Sequence, residues 1–455
     1  MDTFEEVGAA SSGHPWFGRQ RLRSAAPVDT VRRMLRHEIR DTGWPYQPVL
    51  PAAPLTIPRA SYAELFRASA ALVELLRRTA LETGPTTRDR MAAYGMPGSE
   101  DRLWLSDPFV EERYADCVVR PDFVIGPDGP RLLEFNVSGA LGGVVETHAR
   151  LRVWRDLHAD AAGRVPFTAP DPFTVRAAMF RSLSAELALP PRVAIVGSSR
   201  AGGVTARYFE MEAEHYRGLG LTARFFEPEE LTGAWDCAPH LRYRIGLRNF
   251  TIPDWLAGGV DTAGVQAALD HGCLLVGTQT STFLHSKLTM GLLSEGRPWM
   301  TAADRTLINR YLPWTRIVSD RKTEHDGAPV DLLPFVVRHR DRLVLKAGLG
   351  ESGRQVVIGP EVDQAEWESA VDAAVASADG ASIVQEFVAP RTCRVALIAD
   401  GADATHDVDV APVLGPLLFG GRPAGLFARF HGDGAAGIIS VKGRVSSCDN
   451  VAVAI

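Results

Sequence analysis

An α/β fold, with α+β lobes gripping a ligand between them, is what this sequence predicts, and three stretches carry the prediction. Arg120-Pro121-Asp122-Phe123-Val124 and Leu132-Leu133-Glu134-Phe135-Asn136 flank a Gly126-Pro127-Asp128-Gly129 turn and make a hairpin. Arg342-Leu343-Val344-Leu345-Lys346, the run Gly348-Leu349-Gly350-Glu351-Ser352-Gly353 and Gln355-Val356-Val357-Ile358 read as strand, glycine loop, strand. Arg192-Val193-Ala194-Ile195-Val196 enters a loop from Gly197 to Gly203 ahead of a helix, the pattern of an α/β unit.

At the start of the chain, Val31 to Ile39 and Ser61 to Glu82 are amphipathic helical stretches. A proline-rich connection through Pro45, Pro48, Pro51, Pro54 and Pro58 separates them, and together they predict an N-terminal helical cap. Met1-Asp2-Thr3-Phe4-Glu5-Glu6 lacks the basic-then-apolar pattern of a signal peptide. No apolar run approaches the roughly 18 residues of a membrane helix, so a cytoplasmic protein with no membrane partner is expected.

The hairpin carries chemistry. Strand residues two apart point the same way, so Glu134 and Asn136 share a face, and the turn folds Asp122 back beside them. Hard oxygen donors then converge. Magnesium takes such a set, with its remaining positions filled by water or substrate phosphate, so a magnesium–nucleotide enzyme is expected. The Ser138 to Gly143 segment leaving the second strand is glycine-rich and predicts a loop at the reaction centre.

Farther on, the Val193–Val196 strand and its glycine loop suggest a dinucleotide site when taken alone. The spacing departs from Gly-x-Gly-x-x-Gly, and the acid expected at the next strand end is only loosely matched by Glu227, so no dinucleotide is expected. The loop can instead hold an anionic group through helix N-terminal amides. Arg242-Tyr243-Arg244 adds positive charge at a strand end, for a carboxylate-bearing ligand or for a structural ion pair.

In the last third, Lys346 ends a strand just before the glycines, which let a backbone approach a polyphosphate closely. A Walker A loop is excluded, because there the lysine follows the glycines and a helix follows the lysine. After a helix around Trp367 to Ala376 comes Ser382-Ile383-Val384-Gln385-Glu386-Phe387-Val388-Ala389-Pro390, an apolar strand ending in a polar hinge. Such a hinge can offer C=O and N–H groups to an adenine edge, with Glu386 in reach of a ribose.

The chain of 455 residues is 45% hydrophobic, enough for two or three cores. Its net charge of −6 and the lack of a basic stripe interleaved with aromatics exclude nucleic acid as the main partner. Five cysteines without a Cys-x-x-Cys pair indicate neither a zinc knuckle nor a disulfide framework. His148, His285 and His431 sit in no metal-ligand spacing, and the sequence singles out no general base.

Taken in order, the lysine strand, glycine hairpin, helix and Gln-Glu-x-Val hinge resemble the nucleotide clamp of the ATP-grasp superfamily. In most of that superfamily the acidic and Glu-x-Asn strands follow the hinge. Here they precede it by more than two hundred residues, an order that looks circularly permuted. Permutation marks a branch that includes the glutathionylspermidine synthetases and related bacterial carboxylate–amine ligases. The resemblance rests on Arg120, Asp122, Glu134 and Asn136, on the Val193–Val196 strand, Glu214-His215-Tyr216 and Tyr243-Arg244, and on Ser286-Lys287, and it covers most of residues 105 to 430. The first cysteine is Cys117, so the N-terminal cysteine amidase of the bifunctional members is not expected.

The amphipathic stretches place the helical cap over residues 1–105, and the resemblance implies the permuted metal-binding part of the core over 106–165. A Rossmann-like substrate-side domain then spans 166–280, and nucleotide-binding lobes span 281–455. It implies that Asp122, Glu134 and Asn136 hold Mg2+, and that Lys287 and Lys346 contact the phosphates of ATP. The Gly348, Gly350, Ser352 and Gly353 hairpin would close over those phosphates, while Gln385, Glu386 and Val388 line the adenine and ribose pocket. Arg120 and Arg429 would stabilise an acyl phosphate or the transferring phosphoryl group. The implied activity joins small amino-acid or peptide substrates by an amide bond through an acyl phosphate, releasing ADP and phosphate, and a homodimer is a family expectation. Alternatives are a phosphotransferase acting on a hydroxyl or carboxylate, and a non-catalytic nucleotide-binding regulatory protein.

Overall fold

The computed structural model describes residues 16, 17, 20, 22–96, 103–105, 107–231, 237–349, 355–377, 381–434 and 447–455. A six-stranded sheet forms the centre, in the order Leu55–Ile57, Ser447–Ala454, Arg422–His431, Val413–Phe419, Val118–Gly126 and Gly129–Val137. Its pairs are antiparallel except the first, which is parallel. Gly129, at φ +117°, supplies the tight return between the last two strands.

Alternation gives this sheet two unlike faces. Val119, Phe123, Leu132, Phe135, Leu426 and Ala428 pack with Leu65, Leu72 and Leu76 of helix Arg59–Leu81 in the largest apolar core. The other face carries Arg120, Asp122, Glu134, Asn136 and Arg429. The register slips once: Asp122 pairs with Glu134 but Phe123 pairs with Leu132, leaving Leu133 as the extra residue of a bulge. A bulge frees a backbone group from the ladder, and this one has a use described below.

A second sheet, antiparallel, runs Val356–Ile358, Leu343–Ala347, Ser382–Glu386 and Thr315–Ile317, with helix Gln364–Ala376 seated on it through buried Trp367. The third is parallel, in the order Thr222–Phe226, Arg192–Val196, Ile245–Arg248 and Leu274–Val276. Helices Pro172–Glu186 and Ala206–Gly218 flank it and are joined by a buried pair: Arg176 Nε and Nη2 donate to Glu212 Oε1 and Oε2 at 2.6 and 2.5 Å. Arg176→Ala strands a buried carboxylate and is expected to cost about 3–5 kcal/mol, seen as a lower urea midpoint. Adding Glu212→Ala should restore part of that loss.

The N-terminal stretch holds helices Val28–Glu38 and Arg59–Leu81. The proline-rich connection between them, read from sequence as linker, instead contributes two strands. Val49–Pro51 pairs with Cys393–Ala399, and Leu55–Ile57 pairs with Ser447–Ala454. Both lie at sheet edges, where a proline without an N–H is tolerated. Among the described residues, no helix is long and apolar enough to cross a membrane.

Candidate functional site

The three sheets converge on a cavity of about 700 Å³. The polar face of the central sheet forms its middle. Arg120 grips Asp122 with both prongs, Nε to Oδ1 at 2.8 Å and Nη2 to Oδ2 at 3.0 Å. Arg429 Nη2 and Asn136 Nδ2 donate to the same Oδ2 at 2.7 and 3.0 Å. Cross-strand registry explains the cluster, because Arg120 lies opposite Asn136 and Asp122 opposite Glu134. Arg120 also donates to the Gly142 carbonyl, which ties the loop after Asn136 to the cluster.

Two lysines meet this face, one from the second sheet and one from a helix. Lys346, buried, donates to the bulged Leu133 carbonyl at 2.9 Å and to Gln385 Oε1 at 2.7 Å. Lys287, the first residue of helix Lys287–Glu295, lies 3.4 Å from Glu134 Oε2. Its N–H donates to the Gly348 carbonyl at 2.8 Å. Burial opposes a charge on Glu134, yet Lys287, Lys346 and Arg429 hold its carboxyl down at about 2. Burial also pushes the Lys346 ammonium down to about 8, although Glu134 pulls the other way. Burial and the neighbouring Lys287 lower His285, on the cavity wall, to about 4, so it is neutral at pH 7. Around Asp122 and Glu134, the cations Arg120, Arg429, Lys287 and Lys346 thus outnumber the two carboxylates, a local arrangement suited to a polyanion, while Asp254, Glu361 and Glu386 line other parts of the cavity.

Asp122, Glu134 and Asn136 all line the cavity, and Glu134 and Asn136 are only half-buried. Asp122 is buried with both oxygens taken by Arg120, Arg429 and Asn136, so the oxygens open to a cation are those of Glu134 and Asn136, a hard set without a thiol that fits magnesium. Gln385 is buried, holding Lys346 and donating to Thr315 Oγ1 at 3.2 Å. Its side chain therefore orients the lysine in addition to bordering the cavity. Glu386 lies 3.8 Å from Arg342, and Val388 lines the cavity beside the hairpin tip at Gly126. Gly348 packs so closely that a Cβ would sit 2.5 Å from the Ala381 carbonyl oxygen. Gly350, Ser352 and Gly353 lie outside the described residues.

Other expectations change. The loop after Arg192–Val196 does line the cavity, and within it Ser199 N–H donates to Glu227 at 3.0 Å, so that amide is taken by an internal carboxylate. Arg242 donates to the Cys237 carbonyl at 3.2 Å and precedes strand Ile245–Arg248, away from the strand end that meets the cavity. The arginine of this strand, Arg248 at its carboxyl end, does line the cavity. The position was in principle legible, since ligands gather at the carboxyl ends of parallel strands. His148 is absorbed elsewhere, bonded through Nδ1 to Asp171 Oδ2 at 2.7 Å and stacked on Phe173. Gly415 was also missed: it lies under the ion pair, where a Cβ would come within 2.8 Å of Arg120 Cδ and 3.1 Å of Asp122 Oδ1.

No protein-family model matches the chain, and no curated protein sequence matches it. Among solved structures, a glutathione synthetase-like effector from Globodera pallida, determined in its apo form, aligns with a TM-score of 0.58. The alignment covers 94% of this chain and 98% of the other at 12% identity. The chain shares its fold with a glutathione synthetase-like protein. At that identity the likeness concerns the fold, and function must be argued from the site.

Proposed function

We propose that the protein is an ATP-dependent carboxylate–amine ligase of the circularly permuted ATP-grasp type, joining small amino acids or peptides. The observation that carries this reading is the contact between Lys346 Nζ and the Leu133 carbonyl, 213 residues apart in sequence. It brings a phosphate-type lysine from one lobe onto the strand of Glu134 and Asn136 in another. A store of cations against hard oxygen donors, open to a cavity, suits a nucleotide triphosphate better than a structural ion-pair network does.

Lys346 and Lys287 would bind the phosphates, with Gly348 letting the backbone come close. The apolar wall of Val344, Ile358 and Val388 would enclose the base, next to the Gln385–Glu386 hinge. Asp122, Glu134 and Asn136 would hold magnesium, which when bound neutralises phosphate charge and lessens repulsion of an incoming carboxylate. Arg120 and Arg429 present guanidinium forks, charged at any working pH, to the donor carboxylate and transferring phosphoryl group. The carboxylate oxygen attacks the γ-phosphorus and ADP leaves, giving an acyl phosphate. The amine then attacks the acyl carbon, phosphate leaves, and the amine proton passes to phosphate or solvent. Enclosure between sheets keeps water from the acyl phosphate.

The test is ADP and phosphate release with Mg-ATP across amino acids and short peptides offered singly and in pairs. Release that requires a carboxylate and an amine together, with a condensed mass, is expected. Release with one compound alone and a phosphorylated product would overturn the ligase reading in favour of a phosphotransferase. Gly415→Ala should push Arg120 off Asp122, and displacement of that order is expected to cost roughly 10²-fold in kcat. Unchanged kcat in a folded Gly415→Ala protein would count against a role for the arginine pair.

A further inference from the structure

We infer that the far end of the cavity, at the parallel sheet, receives the side chain of one substrate, and that this side chain is apolar and ring-sized on a carboxylate-bearing amino acid or short peptide. The inference rests on the ligase reading and adds its substrate class.

Topology locates the pocket. From Arg192–Val196 the chain moves outward to Thr222–Phe226, then crosses back to Ile245–Arg248 on the opposite side. The loops after the first and third of these strands therefore diverge, and a crevice opens between them at the strands' carboxyl ends, the usual ligand position in such sheets. Ser198 and Val204 come to the cavity from one loop, Asn249 and Phe250 from the other. The metal-type face adjoins this crevice. A Cβ on Gly139 would lie 2.0 Å from the Arg248 carbonyl oxygen, so the loop leaving Asn136 is pressed against the strand that ends in Arg248.

The chemistry of this end differs from that of the middle. Phe250 stacks on Trp255 with centroids 3.5 Å apart and planes 14° from parallel, and Trp44 stacks on Tyr208 at 6.0 Å and 12°. All four rings line the cavity, and Leu256, 51% exposed, extends the apolar wall to the rim. The wall proposed for the base, with Val344 and Ile358, belongs to the second sheet and not to the parallel one, so these rings are not needed for adenine. Two charged groups of this segment line the cavity, Arg248 at the strand end and Asp254 in the first turn of helix Ile252–Ala257, and Arg248 is the cation. Its Nη2 donates to Gln279 Oε1 at 2.7 Å and its guanidinium stands 5.0 Å from the Phe250 ring centroid. An oriented guanidinium beside aromatic faces fits a carboxylate attached to an apolar group.

Isothermal titration of the full chain, with Mg2+ and a non-hydrolysable ATP analogue present, tests this with L-phenylalanine and phenylalanyl dipeptides against L-alanine, glycine and diglycine. The phenylalanyl ligands should bind on the order of 10- to 100-fold tighter, as burial of one ring implies. Val204→Trp, which fills the crevice, should abolish that preference, and Arg248→Gln should weaken every carboxylate ligand; retained binding of the ATP analogue shows that both variants fold. Equal or tighter binding of alanine and glycine, or a preference untouched by Val204→Trp, would overturn the inference. The two readings separate in turnover. ADP release with small polar pairs and no aromatic binding leaves the ligase and sinks the pocket. Aromatic binding that never supports paired ADP release leaves the pocket and sinks the ligase.

Discussion

Asp122→Asn is expected to lower Mg-ATP turnover by about 10²- to 10³-fold, the loss typical when one preorganised charged group is removed from a reacting centre. Asp122 accepts from Arg120, Arg429 and Asn136 at once, so it aims two guanidiniums, and in the proposed reading it also supports the magnesium site. Asparagine keeps the shape and deletes the charge. Both arginines then lose their shared anion, and they should relax away from the positions needed by carboxylate and phosphoryl oxygens. Because losing one partner of a buried pair also destabilises, by about 3–5 kcal/mol, the variant should be checked for folding by circular dichroism. Glu134→Gln offers a second route, since Glu134 is only half-buried and its partner Lys287 lies at 3.4 Å. Wild-type turnover in either folded variant would remove the metal-site assignment.

Lys346→Met should weaken ATP binding about 10- to 100-fold, the loss of one charge-assisted contact of about 1.5–3 kcal/mol. The direction with pH follows from its environment. Burial lowers the ammonium to about 8, so the charge is present below that pH and fades as pH rises through it. ATP affinity of the wild type should therefore decline through pH 8, and that decline should vanish in Lys346→Met. Lys346→Arg, charged throughout, should bind ATP with no decline in the same range. Calorimetric titration at pH 6.5 and 9 measures all three, and a Lys346→Met protein with wild-type affinity would dismiss the clamp.

Much of this site could be read residue by residue. Hairpin residues 120 to 136, the strand ending in Lys346 and the strand carrying Gln385 are local patterns, and their period of two already assigns Glu134 and Asn136 to one face. Helices Val28–Glu38 and Arg59–Leu81 were visible for the same reason, within a few residues at each end. Leu133 marks where periodicity stops helping. A bulge adds one residue without leaving a trace in the apolar pattern, yet it frees the carbonyl that Lys346 takes up.

What the sequence determined by itself, then, is which short segments are strands or helices and which of their residues carry charge, oxygen donors or glycine flexibility, because these follow from contacts between residues close in the chain. Tertiary structure alone decided that Asp122 is shared between Arg120 and Arg429, that Gly415 must lack a side chain beneath them, and that Arg248 rather than Arg242 or Arg244 reaches the cavity. It also decided that the proline-rich linker supplies edge strands to two sheets. Each of these depends on pairings across tens to hundreds of residues, and such registers are selected by burial and hydrogen bonding summed over whole sheets, which no local pattern encodes.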